Sequence, residues 1–210
     1  MSKVMISNKK KKAKHPELIG EKIILVSYRK CHVAKYHTWM EDEELRRLTA
    51  SKRLSLEEEH EMQMKWHEDD DKCTFIILAR DLIDSGADEI ASMVGDVNIF
   101  INNNIGELTT MIAESKWRRK GLGEEAVRIM LMFAFRVIGL QTFEVKISKD
   151  NVGSLKLFQK IGFVVTSECS KFNEYTLSIS MEHILEAIAH LEVTHLEEEI
   201  DGANGSFAFH

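Results

Sequence analysis

Residues 117–123 read Trp-Arg-Arg-Lys-Gly-Leu-Gly and join a β-patterned stretch, residues 107–113, to a long apolar helical run. This junction limits the fold more than any other segment of the chain. Two glycines one residue apart let the main chain turn tightly, so several amide N–H groups point into one small space. The helix that follows adds its unpaired first-turn donors and the positive end of its dipole. Gly121, Leu122 and Gly123 can thus form a cradle for a phosphate or pyrophosphate, with Arg118, Arg119 and Lys120 supplying charge beside it. An ordinary strand-to-helix turn with a solvated basic triplet has the same pattern. It is not a Walker loop, because no Gly-Lys-Ser/Thr follows, nor a dinucleotide fingerprint, because the third glycine is missing.

A second ordered pattern follows downstream: Asn151-Val-Gly-Ser154-Leu-Lys-Leu-Phe158-Gln-Lys160-Ile-Gly162-Phe163. Asn151 suits a helix N-cap and Gly162 a helix stop, while Leu155, Phe158 and Ile161 recur at helical spacing. Taken alone this is a short core helix between two strands. In this order, however, the two segments resemble the GNAT superfamily of acetyl-CoA-dependent N-acetyltransferases. That family's Arg/Gln-x-x-Gly-x-Gly/Ala loop is matched by Arg118, Gly121 and Gly123, and its later Asn-x-x-Ser/Ala-x-x-Leu-Tyr/Phe segment by Asn151 to Phe163. Residues 45–51, 71–75, 93–98, 111–114 and 158–160 resemble one subgroup of it, the N-acetyltransferase 9-like proteins. The likeness spans residues 20–180 or so.

The resemblance implies an α+β sandwich, a mixed and largely antiparallel sheet of about six or seven strands flanked by helices. It implies that the strand before the glycine loop and the next strand splay apart, so that the pantetheine arm of acetyl-CoA pairs with the exposed main chain. By the same likeness Met111, Ile112 and Ala113 hold that arm and residues 118–123 hold the pyrophosphate. Asn151, Ser154 and Phe158 then line the thioester end or the outer wall. The acceptor is an amine of a protein or peptide, N-terminal or lysine. An α-amine titrates near 8 and a lysine amine near about 10.4, roughly 3 kcal/mol apart in the cost of a neutral nucleophile. An α-amine therefore needs only a weak base. Glu107 is the candidate, sharing a strand face with Thr109, Met111 and Ala113, with a solvated glutamate as the plain alternative. Asp96 is a weaker substitute. Many relatives place a tyrosine, as general acid, where this chain has Phe158, which donates no proton. That departure supports an alternative reading, an acetyl-CoA-binding scaffold without turnover.

Composition sets outer bounds. The 210 residues, 44% hydrophobic, suit one domain (residues 19–181) with a basic arm at 1–18 and a short helix plus acidic tail at 182–210. A net charge of -6 argues against nucleic acid as the main partner, with Lys9 to Lys12 a local exception. Without an apolar run long enough to span a bilayer or a secretory leader, no membrane role is expected. Cys31, Cys73 and Cys169 are few and scattered, which fits a reducing, cytoplasmic setting. No histidine pair has the i, i+4 spacing of helical metal ligands, and adjacent Cys31 and His32 are expected to diverge, so no metal is expected.

Strands are expected at residues 22–28, 74–80, 92–101, 107–113, 142–147, 163–166 and 175–180, with a turn at Asp84-Ser-Gly86. A helical pattern spans 30–50. Ser55 and Glu58 form a capping box opening a helix to Glu68, with Leu56, Met62 and Trp66 inward and Glu57 to Glu59 in water.

Overall fold

The computed structural model describes residues 17–197 and 205–209. Its strands are β1 (Glu17–Ile19), β2 (Ile23–Ser27), β3 (Lys72–Ala79), β4 (Met93–Asn102), β5 (Ile105–Ile112), β6 (Thr142–Ser148), β7 (Val164–Cys169), β8 (Glu174–Ile179), β9 (Val193–Glu197) and β10 (Gly205–Phe209). They form one sheet in the order β10-β9-β1-β2-β3-β4-β5-β6-β8-β7. All pairings are antiparallel except β5 with β6. The seven expected strands are β2 to β8. Three more, β1, β9 and β10, extend one edge, so the sheet is wider than the sequence suggests. Residues 193–197 and 205–209, expected in an acidic tail, pair as strands with β1 and each other. The lysine run at 9–12 lies outside the described residues.

The helices are α1 (Val33–Met40), α2 (Glu43–Leu48), α3 (Leu56–Glu68), α4 (Arg80–Asp84), α5 (Glu89–Ser92), α6 (Leu122–Phe133), α7 (Val152–Ile161) and α8 (Met181–Ile188). The expected helical stretch at 30–50 breaks in two because Asp42 caps α2, accepting from the amides of Glu44 and Leu45. The expected turn at Asp84-Ser-Gly86 connects α4 to α5, with Gly86 at φ 91.

Two cores lie on opposite faces of the sheet. Against α6, α7 and α8 pack Phe75, Phe143, Val145, Ile147 and Phe163, with Phe158 entering the same core from α7. Alternation along β6 is the cause: Phe143, Val145 and Ile147 face this core while Glu144 and Lys146 face away. Each fully buried side chain of this size contributes roughly 1.5–3 kcal/mol. The other face, under α1 and α3, holds a smaller core around Tyr28, Tyr36, Trp39, Met93 and Met111.

Here α3 departs from expectation. Its capping box forms as read, Glu58 N–H donating to Ser55 Oγ at 3.3 Å and Ser55 N–H to Glu58 Oε2 at 2.7 Å. Yet Leu56 is 39% exposed while Glu59 is 1% and Gln63 6% exposed. The inward stripe is Glu59 and Gln63 with Met62 and Trp66 alongside, because residues four apart share one face. Gln63 Nε2 donates to the Tyr28 carbonyl at 3.0 Å.

Candidate active site

β5 and β6 run parallel for three pairs only, Ile105 with Thr142, Gly106 with Phe143 and Glu107 with Glu144. Beyond them β5 continues to Ile112 beside β4, and β6 continues to Ser148 beside β8. A wedge therefore opens between the two strands, with main-chain groups of each along its sides. The close approach of β4 and β5 behind it requires Gly95, where a Cβ would fall 2.0 Å from the Met111 carbonyl oxygen.

The glycine loop lies at the C-terminal end of β5. Gly121 is the N-cap of α6 at φ 90, a left-handed conformation that disfavours side chains. The first intrahelical bond runs from Glu125 N–H to the Gly121 carbonyl, so the amides of Leu122, Gly123 and Glu124 have no intrahelical acceptor. Gly123 differs: a Cβ there would sit 3.5 Å from Ile112 and 3.7 Å from Leu157, ordinary contact. Arg119 also has positive φ, 60. Arg118 turns back, its Nε donating to the Ile112 carbonyl at 2.8 Å and its Nη2 to the Ala113 carbonyl at 3.1 Å. Lys120 Nζ lies over the Trp117 ring, 4.5 Å from its centroid.

Sequence reasoning missed one cation here. A Cβ at Gly121 would lie 3.4 Å from Lys22 Nζ, so the β1–β2 turn brings a further positive charge to the loop. Glu125 fixes that turn by accepting from the Lys22 amide at 3.0 and 3.2 Å, and its burial raises its pKa. No local sequence signal marks Lys22, because the contact joins residues far apart in the chain.

On the α1 face of the wedge, Asp96 of β4 stands opposite Met111. It is 3% exposed and accepts from Tyr36 Oη at 3.2 Å and Asn98 Nδ2 at 2.9 Å. Burial pushes its pKa up to about 6, against the opposing effect of these donors. Burial also raises the Tyr36 hydroxyl well above its ordinary range. Glu107 shares that face with Met111 and Ala113, farther along β5, and is ion-paired with Lys146, which also meets Glu144 at 3.4 Å. The Glu107 contact raises the Lys146 pKa.

These features together set main-chain donors and basic side chains at one end of the wedge, with Glu107 along β5 and Asp96 buried behind it. The sequence profile of the Acetyltransferase (GNAT) domain matches residues 22–164. The chain belongs to the GNAT acetyltransferase family. It is 48% identical over 177 residues to an N-acetyltransferase 9-like protein of Caenorhabditis briggsae, covering 80% of this chain and 87% of that one. It is 46% identical over 187 residues to Alpha/beta-tubulin-N-acetyltransferase 9 of Homo sapiens, covering 83% of this chain and 90% of the relative. The fold is similar to that of a spermidine N-acetyltransferase from Vibrio cholerae, whose structure holds CoA and spermine. The TM-score is 0.68 at 15% identity, covering 78% of this chain and 98% of that one. Like its relatives, this GNAT protein is an N-acetyltransferase, and the family uses acetyl-CoA.

Within this GNAT fold, the remaining site residues named from the sequence take varied positions. Asn151 caps α7, its Oδ1 accepting from Ser154 N–H at 3.1 Å, and its Nδ2 donates to the Leu48 carbonyl at 3.4 Å. It thereby ties the start of α7 to the end of α2. Phe158 is 2% exposed and packs edge-on against Phe163, centroids 5.2 Å apart, so its ring belongs to the core. The Ala113 amide donates to the Val94 carbonyl at 2.9 Å, within the β4–β5 pairing.

Cys31 and His32, expected to diverge, instead lie with Glu89 in one group whose ligand-type atoms fall within 4.8 Å of each other. A tight turn at Lys30–His32 brings them together. His32 Nδ1 accepts the Arg29 amide proton at 3.0 Å, so the ring's proton in the neutral form sits on Nε2, facing Glu89. The Arg29 guanidinium also holds Glu89. The lone pair a cation needs is already engaged, and a positive charge stands beside it.

Proposed function

We propose that this protein transfers the acetyl group of acetyl-CoA to an amine of a polypeptide, an N-terminal α-amine or a lysine. The observation that carries the reading is the wedge between β5 and β6, ending in the Gly121 loop. The residues suit the cofactor: a left-handed glycine, unpaired first-turn amides and four nearby cations, Lys22, Arg118, Arg119 and Lys120, favour a diphosphate. Acetyl-CoA would supply the acetyl group as a thioester: the amide C–N bond forms as the C–S bond breaks, and the coenzyme leaves as its thiolate, to be protonated by water. In the complex, Met111, Ile112 and Ala113 offer main-chain groups along β5, and Leu122 and Gly123 offer amides. Arg118, which now donates to the Ile112 and Ala113 carbonyls, would hold the pyrophosphate from the loop side. Asn151 and Ser154 define the outer wall through the α7 cap, and Phe158 supports that wall from within the core.

Glu107 serves as the base. It takes the ammonium proton of the acceptor, directly or through water, while its ion pair with Lys146 holds it in place. For an α-amine, with about a tenth already neutral at pH 7, this assistance is sufficient. Asp96 acts on position: it holds Tyr36 and Asn98 beside β5, opposite Met111. The curated relative that acts on α- and β-tubulin, by its name, favours a protein acceptor. The free thiols of Cys31, Cys73 and Cys169 fit a reducing cytoplasmic setting, and no described helix is long and apolar enough to cross a membrane.

The test is acetylation of a peptide panel followed by mass spectrometry, on the protein and on Glu107→Gln. The expected result is turnover that falls about 100-fold in the variant with unchanged acetyl-CoA affinity. Undiminished turnover would remove Glu107 from the mechanism. The absence of a hydroxyl at Phe158 favours a second reading, a binding protein without turnover, for which acetyl-CoA binds and no peptide is modified.

A further inference from the structure

A recess separate from the β5–β6 wedge lies on the α1–α3 face. A cavity of about 360 Å3 is lined by His37, Glu41, Arg53, Leu54 and Ser55. His37 stands between this cavity and Glu59, its Nδ1 3.9 Å from Glu59 Oε1 and its Nε2 3.8 Å from Glu41 Oε1. Glu59 is 1% exposed, and among the described residues its Oε2 has no hydrogen-bond partner; neither has His37 Nδ1. A buried carboxylate lacking donors is unfavourable, and proteins normally match one with a cation or several N–H groups. The rim carboxylate is matched in this way already. Arg53 donates to Glu41 through Nε at 3.1 Å and Nη2 at 2.6 Å, a two-pronged guanidinium contact.

The recess is also well placed. His37 follows Tyr36, whose hydroxyl reaches Asp96 beside the wedge, so α1 carries one residue of each site. Its outer parts, the end of α1 and the loop before α3, are open to a bound chain.

We propose that this recess is a subsite for a cationic side chain of the acceptor polypeptide, with Glu59 and Glu41 as its counter-charges. The inference rests on the polypeptide acceptor proposed above and adds what that acceptor carries. Arginine suits the site better than lysine, because a planar fork presents several N–H donors in fixed directions, and Arg53 already engages both oxygens of Glu41 in this way. An incoming guanidinium displaces Arg53 from the rim and turns His37 aside to reach Glu59.

The experiment measures binding rather than turnover. Peptides with a free N-terminus carry arginine, or its neutral isostere citrulline, at each of the first four positions, and calorimetry gives their affinities for the full chain. At one position the arginine peptide should bind at least about tenfold more tightly, the effect of one charge-assisted contact. Glu59→Gln should remove that preference while leaving citrulline peptides and acetyl-CoA unaffected. Arg53→Ala, an exposed change that does not threaten folding, should tighten arginine binding a few-fold by freeing Glu41. Equal affinity for arginine and citrulline at all four positions overturns the proposal, as does weaker arginine binding in Arg53→Ala. Failure of the acetyltransferase reading is seen separately, as an absence of acetyl-CoA binding to the same protein.

Discussion

Against α6, α7 and α8 the sheet buries phenylalanine, leucine, isoleucine, valine and methionine, whereas under α1 and α3 it buries His32, Glu59, Gln63, Asp96 and Asn98 among its apolar residues. The orphaned polar atoms divide the same way. Among the described residues, Tyr28 Oη, His37 Nδ1, Glu59 Oε2, His60 Nδ1 of α3, Thr74 Oγ1 and Asn98 Oδ1 belong to the α1–α3 side, Trp117 Nε1 adjoins the other core, and Arg29 Nε lies beside Glu89. One face is packed for stability and holds the sheet and α6 in register. The other keeps groups that cost stability, as expected of a surface that meets a reactant. The wedge between β5 and β6 opens where the two faces share a strand, so the stable face positions what the polar face uses.

Truncation on the apolar face should have the largest effect. Phe143→Ala removes a fully buried ring that packs against Gly106 at the base of the wedge, and should cost about 3–5 kcal/mol, read as a lower denaturant midpoint. A loss under 1 kcal/mol would mean that this face is not the stabilising one. On the polar face the expected sign reverses. The Asp96 pKa rises on folding from an ordinary 3.8 to about 6, so the folded state binds its proton more tightly. That contribution to stability is complete below about pH 4 and is lost as pH rises through 6, leaving a cost of about 3 kcal/mol at pH 7. Asp96→Asn should therefore be more stable than the parent at pH 7, by up to that amount, with the gap closing below pH 4. A variant less stable at pH 7 would show that the contacts from Tyr36 and Asn98 outweigh the buried charge. The smallest effect belongs to the glycine loop. Gly121→Ala should lose about 1 kcal/mol through its positive φ, and Gly123→Ala should be neutral or slightly stabilising at a helical position with room for a methyl. Equal thermal shifts for the two would remove the distinction between them.

Much of the arrangement was legible in the sequence because its signals are local. Alternation marks β6, and Asn151 with Gly162 bounds α7 as a cap and a left-handed stop at φ 114. The Gly121 turn sits between a strand and a helix as its spacing requires. Glu107 and Met111 share a face because strand residues two apart must. What escaped notice depends on contacts between distant segments. β1, at three residues, is too short to carry a pattern; β9 gains its structure by pairing onto it, and β10 by pairing onto β9. Glu59 reads as one of three solvated glutamates, and only the docking of α3 beside His37 buries it. Lys22 reaches the Gly121 loop through a turn fixed by Glu125. Phe158 is held by Phe163 in the core.

Hydrogen exchange read by mass spectrometry, with and without acetyl-CoA, tests the central claim most directly. If the β5–β6 wedge and the Gly121 loop hold the cofactor, amides within residues 108–113 and 119–124 should exchange at least about tenfold more slowly when it is bound. Protection confined to other segments, or none at saturating acetyl-CoA, would contradict it.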